Sequence, residues 1–416
     1  MRKQFITFAL VCIAFGLHAQ IKLPNGAEIS LGGDFRTLTE IRQGYKNILP
    51  ETAEPAFVIS QRSRLILDYN SKAFDLRFSF QDARAWGETF VINSTKPLLM
   101  HEAWIKYHFN PTLGLKIGRQ SIEYGDNRMF STRNWSMQGA AHDAAIIEYQ
   151  HNGTKIDFGL AANNSSTAIL EATPYLIKNY KSMSWIWISK KFNPKFELNL
   201  LNVLAGYQKA GTITTYGLNT TGVNPVVNLG GFNFNGSAYY QFGKNSLGNT
   251  HQAHLYTANL KYEYQFFSLG VGYDHYSGKK YSETNLTDKY FITIVESVAH
   301  GFLGFMDIAT GTQFQSQHGI SDLNIKLKYG KATSFAMYFH ALAYAQQPAE
   351  NKSNQIGKEF DFLLSHKFNK NLSLELGYSF LLTHEDYKDA VLGPSVNERF
   401  PQWAYLLLAF KPNLLQ

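Results

Sequence analysis

Ile29-Ser30-Leu31-Gly32-Gly33-Asp34-Phe35-Arg36-Thr37-Leu38-Thr39-Glu40-Ile41-Arg42 repeats with a period of two. Its odd positions include Ile29, Leu31, Phe35 and Ile41. Its even positions include Asp34, Arg36, Glu40 and Arg42. Successive side chains of a strand point to opposite sides, so this stretch describes a ribbon with one apolar and one charged face.

The pattern returns along the chain. Phe57, Ile59, Leu65, Leu67 and Tyr69 oppose Ser60, Arg62, Arg64 and Asp68. Phe360, Phe362, Leu364 and Phe368 oppose Glu359, Asp361, Ser365 and Lys367. Leu372, Leu374, Leu376, Tyr378 and Phe380 oppose Ser373, Glu375, Gly377 and Ser379. The segments run about 11–14 residues, against roughly five or six for soluble strands. They are near the roughly 9–11 residues that cross a bilayer at a tilt. Their apolar faces often end in aromatics: Tyr107, Phe109, Tyr149, Phe192, Tyr329, Phe368 and Phe410. Rings at strand ends suit the boundary between lipid and water.

The connections alternate in length. Short ones are Asn70-Ser71-Lys72, Asn110-Pro111, His151-Asn152-Gly153, Asn193-Pro194, Gln265, Gly330 and Asn369-Lys370-Asn371. Long ones fall near 44–56, 85–97, 120–138, 165–180, 278–317, 346–356 and 384–399. Tight periplasmic turns and long external loops have this asymmetry. The expected fold class is all-β, a transmembrane antiparallel up-and-down β-barrel of about 18 strands, closed because a bare edge cannot be hydrated in lipid. The stretch 207–231 is ambiguous and leaves 16 strands open. A soluble sandwich also alternates, with its apolar faces inward.

Composition agrees. Hydrophobic residues make up 44%, aromatic residues 15% and charged residues 17% of 416. A disordered chain would invert that balance. After the first twenty residues no apolar run reaches the roughly 18 residues of a spanning helix. Met1-Arg2-Lys3, the apolar run Phe5–Leu17 and Ala19 read as a secretory leader, residues 1–19, ahead of a single barrel domain, 20–416. The only cysteine, Cys12, lies in that leader, so the mature chain has no disulfide and no cysteine metal site. Loss of Arg2 and Lys3 lowers the net charge from +7 by two. That mild excess outside the cytoplasm suits anionic solutes or lipid headgroups rather than nucleic acid.

With apolar residues facing lipid, the charged set faces a lumen. Its cations are Arg36, Arg42, Arg62, Arg64, Arg77, Arg84, Arg119 and Arg128, with Arg133 close by. Their carboxylate neighbours are Asp34, Glu40, Asp68, Asp82, Glu102 and Asp126. An arginine fork matches carboxylate and phosphate, so the set reads as a conduit for anions. It reads equally as ion pairs that stiffen the wall.

Ser79-Phe80-Gln81-Asp82-Ala83-Arg84-Ala85-Trp86-Gly87-Glu88 and His101-Glu102-Ala103-Trp104 resemble segments of the alginate-export family of outer-membrane barrels, above all its Bacteroidetes-type members. So do Gly118-Arg119-Gln120, Tyr124-Gly125-Asp126-Asn127-Arg128, Trp135, His142-Asp143-Ala144, Gly357-Lys358-Glu359-Phe360-Asp361 and Trp403-Ala404-Tyr405. The resemblance is densest over 60–165. It implies an 18-stranded porin-like channel of the bacterial outer membrane that passes an anionic polysaccharide such as alginate. It also implies that Arg62, Arg64, Arg84, Arg119 and Arg128 face the lumen. Ser131-Thr132-Arg133 departs from the glycine-rich pattern and puts the third external loop in doubt.

The partners expected are outer-membrane lipid, the barrel-assembly machinery and an anionic solute or polysaccharide; the oligomeric state is open. No catalytic residue, metal or cofactor is expected. The thirteen histidines form no His-Glu-x-x-His spacing, no nucleophile elbow occurs, and His251 and His254 point to opposite faces of one strand. A small-anion or phosphate-selective porin and a non-transport barrel, enzyme or adhesin, are the alternatives. The longest connection, 278–317, contains apolar residues from Phe291 to Val298 and from Phe302 to Met306. It is expected to fold into the pore, or else to extend the wall as a hairpin.

Overall fold

The computed structural model describes residues 21–88, 98–164, 169–170, 179–285, 287–293, 300–309 and 317–415. The leader lies outside the described residues. Eighteen long strands form the wall. They are β1 Glu28–Gln43, β2 Ala56–Asn70, β3 Phe74–Ala85, β4 Leu99–Asn110, β5 Leu113–Gln120 and β6 His142–His151. Next come β7 Thr154–Ala162, β8 Ser182–Asn193, β9 Phe196–Gln208, β10 Thr215–Leu229, β11 Phe232–Lys244 and β12 Thr250–Tyr264. The last are β13 Phe267–Tyr276, β14 Ile320–Gly330, β15 Thr333–Tyr344, β16 Gln355–Lys367, β17 Leu372–Thr383 and β18 Gln402–Phe410. Every neighbouring pair is antiparallel, and β18 pairs with β1 from Phe35↔Phe410 to Gln43↔Gln402, closing the sheet. The ambiguous 207–231 stretch resolves into the end of β9, a short loop and β10, so the count is eighteen.

The apolar face looks outward. Phe35, Leu65, Phe78, Ile105, Ile147 and Leu376 are exposed, whereas Asp34, Arg36, Arg62, Ser79 and Gln81 are buried. In water this belt would drive aggregation; in lipid it is the favourable surface. All seven terminal aromatics named above are on the exposed side.

Short turns follow from local chemistry. Asn110 Oδ1 accepts from the amides of Thr112 and Leu113 at 2.9 and 3.0 Å, and Asn369 does the same for Asn371 and Leu372. Asn152 and Gly153 both adopt positive φ, the two-residue turn that matches strand twist.

The external half of the lumen is a packed core. Trp185, Val203, Leu255, Tyr276, Ile320 and Ile356 turn inward there, and loop residues Met129, Phe130, Leu303, Met306 and Ile308 pack among them. The inner wall is thus charged only in part: inward loops need apolar anchorage, because a polar wall would leave their apolar side chains without partners. Among the described residues one helix, α1 Glu385–Leu392, lies in the last external loop.

Candidate functional site

Among the described residues, two connections reach far into the lumen. The first is 121–141, between β5 and β6. Near its C-terminal end, Arg36 donates to the Asn134 carbonyl at 2.6 Å, and Arg62 donates to Asn134 Oδ1 at 3.0 Å and to the Ser136 carbonyl at 3.3 Å. Arg64 holds Gln81, whose amide donates to the Gln138 carbonyl at 2.8 Å. At its other end Asp126 accepts from Ser237 at 2.5 Å and Tyr239 at 3.1 Å on β11. Arg128 donates to both Asp274 oxygens at 2.9 and 2.8 Å and to the Tyr276 hydroxyl at 2.7 Å on β13. The loop thus straps the β1–β3 wall to the β11–β13 wall. Burial works against the Arg128 charge, but Asp274, Tyr276 and Asp126 outweigh it and raise its pKa above the ordinary arginine value.

The second connection is 277–319. Residues 291–293 and 300–309 of it fold inward, as one of the two expectations had it, while 280–285 stay largely exposed. Ile292 and Gln241 exchange two hydrogen bonds, and Met306 N–H donates to Glu359 at 2.8 Å while its carbonyl accepts from Lys46 N–H. Gly304 has positive φ, and a Cβ there would lie 2.4 Å from Glu359, so glycine is required for this close approach. Residues 294–299 and 310–316 lie outside the described residues.

The expected site residues divide into three groups. Arg62 and Arg64 are buried on the lumen side and serve the strap. Arg62 also pairs with Asp34 at 2.6 Å, and Asp34 pairs with Arg36 at 2.7 Å. Arg42 faces inward on Glu40 at 2.7 Å, and Glu40 also accepts from Trp403. Arg77 bridges Asp68 at 2.6 Å and Glu102 at 3.6 Å. Arg128 and Asp126 belong to the inward loop rather than to the wall.

The structure places Arg84 and Asp82 on the other face. Their register partners Gln61 and Ser63 share the outward side with Leu65, Leu67 and Phe78, and the Arg84–Asp82 pair, 2.7 Å, stays there. Arg119 likewise aligns with Ala103 on the side of Ile105 and Ile117, pairing with exposed Asp143 at 2.9 Å. The lumen-facing expectation for Arg84, Asp82 and Arg119 is thus corrected. Near the external end of a strand an outward charge reaches the water–headgroup zone, where it costs little.

Between the two inward loops and the wall lies a cavity of about 720 Å³. Five basic side chains line it, Arg36, Arg42, Lys46, Arg133 and Lys326, against the carboxylates Glu40 and Glu375. Among the described residues no carboxylate pairs with Lys46 or Lys326. Lys326 donates to the Gly301 carbonyl at 3.3 Å and lies over the Tyr338 ring at 5.9 Å. Aromatic rings complete the lining: Tyr45 stacks on Trp403 at 4.8 Å, and Trp135 on His300 at 4.0 Å. Sequence reasoning placed Glu375 on the polar face without assigning it to the site, and missed Lys46, Lys326 and the strap. Lys326 alternates with outward Ile325, a signal that was present but not singled out. The described residues contain no cluster of three or more metal-ligating side chains and no helix long and apolar enough to cross a membrane.

The family described as alginate export is matched over residues 27–392. No curated protein sequence matches the chain. Similar solved structures are outer-membrane barrels. OccK2 (OpdF) of Pseudomonas aeruginosa has a TM-score of 0.63 at 11% identity, covering 93% of this chain and 98% of that one. OccAB1 of Acinetobacter baumannii has a TM-score of 0.63 at 12% identity, with 93% and 97% covered. OccK11 (OpdR) of Pseudomonas aeruginosa has a TM-score of 0.62 at 11% identity, with 93% and 96% covered. At such identity the likeness concerns the fold.

Proposed function

We propose that this chain, which belongs to the alginate export family and is a porin-like barrel of the bacterial outer membrane, passes anionic solutes passively, first among them an anionic polysaccharide such as alginate. One observation carries the reading. The cavity between the inward loops is lined by five basic side chains against two carboxylates, and among the described residues neither Lys46 nor Lys326 forms an ion pair. Such a lining attracts anions and leaves cations a barrier. A polyuronate carries one carboxylate on each sugar ring, the group that arginine forks match. The mature form begins after residue 19.

The inward loops favour a second reading, a small-anion-selective porin, because they leave a cavity of about 720 Å³ where an open eighteen-stranded lumen would be wider. Planar-bilayer recording separates the two. Under a salt gradient the reversal potential should show anion preference, and Lys46→Glu with Lys326→Glu should diminish it. Blockade by a polyuronate supports the polymer; blockade by the monomer alone supports the narrower pore. Cation preference in the unaltered protein would refute both.

A further inference from the structure

One carboxylate of the cavity between the loops, Glu375, also lines a neighbouring space. This second cavity, of about 250 Å³, opens below the first at the periplasmic end, and Leu407 too lines both. The lower cavity is lined by Lys328, Lys331 and Lys367, with serine hydroxyls among them. Lys326 and Lys328 are successive inward positions of β14, one lining the upper space and one the lower.

Glu375 stands on β17 between these two positive regions. One of its oxygens accepts from the Tyr405 hydroxyl at 2.8 Å and the other from the Ser365 hydroxyl at 2.8 Å. These bonds fix the carboxylate in place, and each oxygen retains further acceptor capacity. Among the described residues no lysine or arginine pairs with it.

An anion that moves between the cavities along their shared lining meets a fixed negative charge. Coulomb repulsion raises the barrier for a bare anion. A solute with hydroxyl groups meets the same charge differently: it donates hydrogen bonds to Glu375 while its carboxylate rests on the lysines above or below. Bonds to an ionised acceptor are about twice as strong as neutral ones.

We propose that Glu375, held at the junction of two lysine-lined cavities by Tyr405 and Ser365, selects hydroxyl-bearing carboxylates, that is sugar acids, over anions of equal length without hydroxyls. The inference rests on the anion-preferring reading of the lumen and adds the chemical class that it favours.

The test compares glucarate with adipate, six-carbon dicarboxylates with and without hydroxyls. Both are applied to liposomes that contain the full chain, and swelling rates are read. The unaltered protein should pass glucarate faster. Glu375→Gln keeps the size and the bond from Tyr405 but removes the charge, so the glucarate-to-adipate ratio should fall by roughly tenfold, the worth of a hydrogen bond to a charged group. Chloride conductance should rise about fourfold, the factor one unit charge exerts at about 5 Å in water. Glu375→Asp should keep the discrimination. A Gln variant with unchanged ratio and conductance overturns the proposal. So does an unaltered protein that passes adipate as fast as glucarate, which requires no variant to fold. Cation preference in the unaltered protein would instead overturn the functional reading beneath it.

Discussion

Replacing Arg128 with methionine should release the strap that narrows the lumen. Arg128 is 3% and Asp274 1% exposed, and the guanidinium makes two bonds to that carboxylate, one to Tyr276 and a stacking contact over Phe302 at 4.2 Å. Methionine fills similar volume but leaves Asp274 charged and buried without its partner. Removing one member of a buried pair costs about 3–5 kcal/mol. At about 1.4 kcal/mol per factor of ten, this shifts the balance between strapped and released loop by roughly a hundredfold to a few thousandfold. Released, the loop admits water to Asp274, and the wall is spared because no strand pairing involves Arg128. The assay is single-channel recording, with heat-modifiable gel mobility to show that the barrel is intact. Conductance should increase and become noisier. Arg128→Met combined with Asp274→Leu removes the Arg128–Asp274 pair, leaves Asp126 held by Ser237 and Tyr239, and should restore most of the quiet, narrow state. An intact Arg128→Met barrel with unaltered conductance and noise would refute the strap.

Three further outcomes follow from the geometry. Arg119→Ala and Arg84→Ala should leave ion selectivity unchanged in reversal-potential measurements, because both lie on the outer face; loss of the exposed Arg119–Asp143 pair should cost at most about 1 kcal/mol. Leu65→Arg, on the lipid side near the middle of β2, should destabilise the folded barrel by about 2–4 kcal/mol in denaturant titrations in lipid vesicles, and a value near zero would contradict the outward assignment. A Cβ at Gly377 would lie 1.9 Å from the Tyr405 ring, so Gly377→Val should cost about 1–3 kcal/mol in the same titration and displace the Tyr405 hydroxyl from Glu375.

Much of the barrel is written in period two. Alternation from Ile29 to Arg42 and the alternating short and long connections determine closure, sidedness and the lipid belt, because in a bilayer each strand must present apolar atoms outward and pair both edges. Asn110, Asn152-Gly153 and Asn369 mark turns through local hydrogen bonds that need nothing from the rest of the chain. The lumen was legible only in part. Arg36, Arg42, Arg62, Arg64 and Arg77 could be placed inside by parity, and the same alternation puts Arg84 with Phe78 and Phe80, and Arg119 with Ile117, on the outward face, as the strand pairing bears out. Which arginine meets solvent and which is consumed by the strap depends on contacts 72 to 148 positions apart, from Arg62–Asn134 to Arg128–Tyr276. No local pattern encodes such partners. The inward course of 121–141, the cavity that it leaves and the junction at Glu375 were therefore decided by folding in three dimensions, where buried charge has to find its counterpart across the lumen.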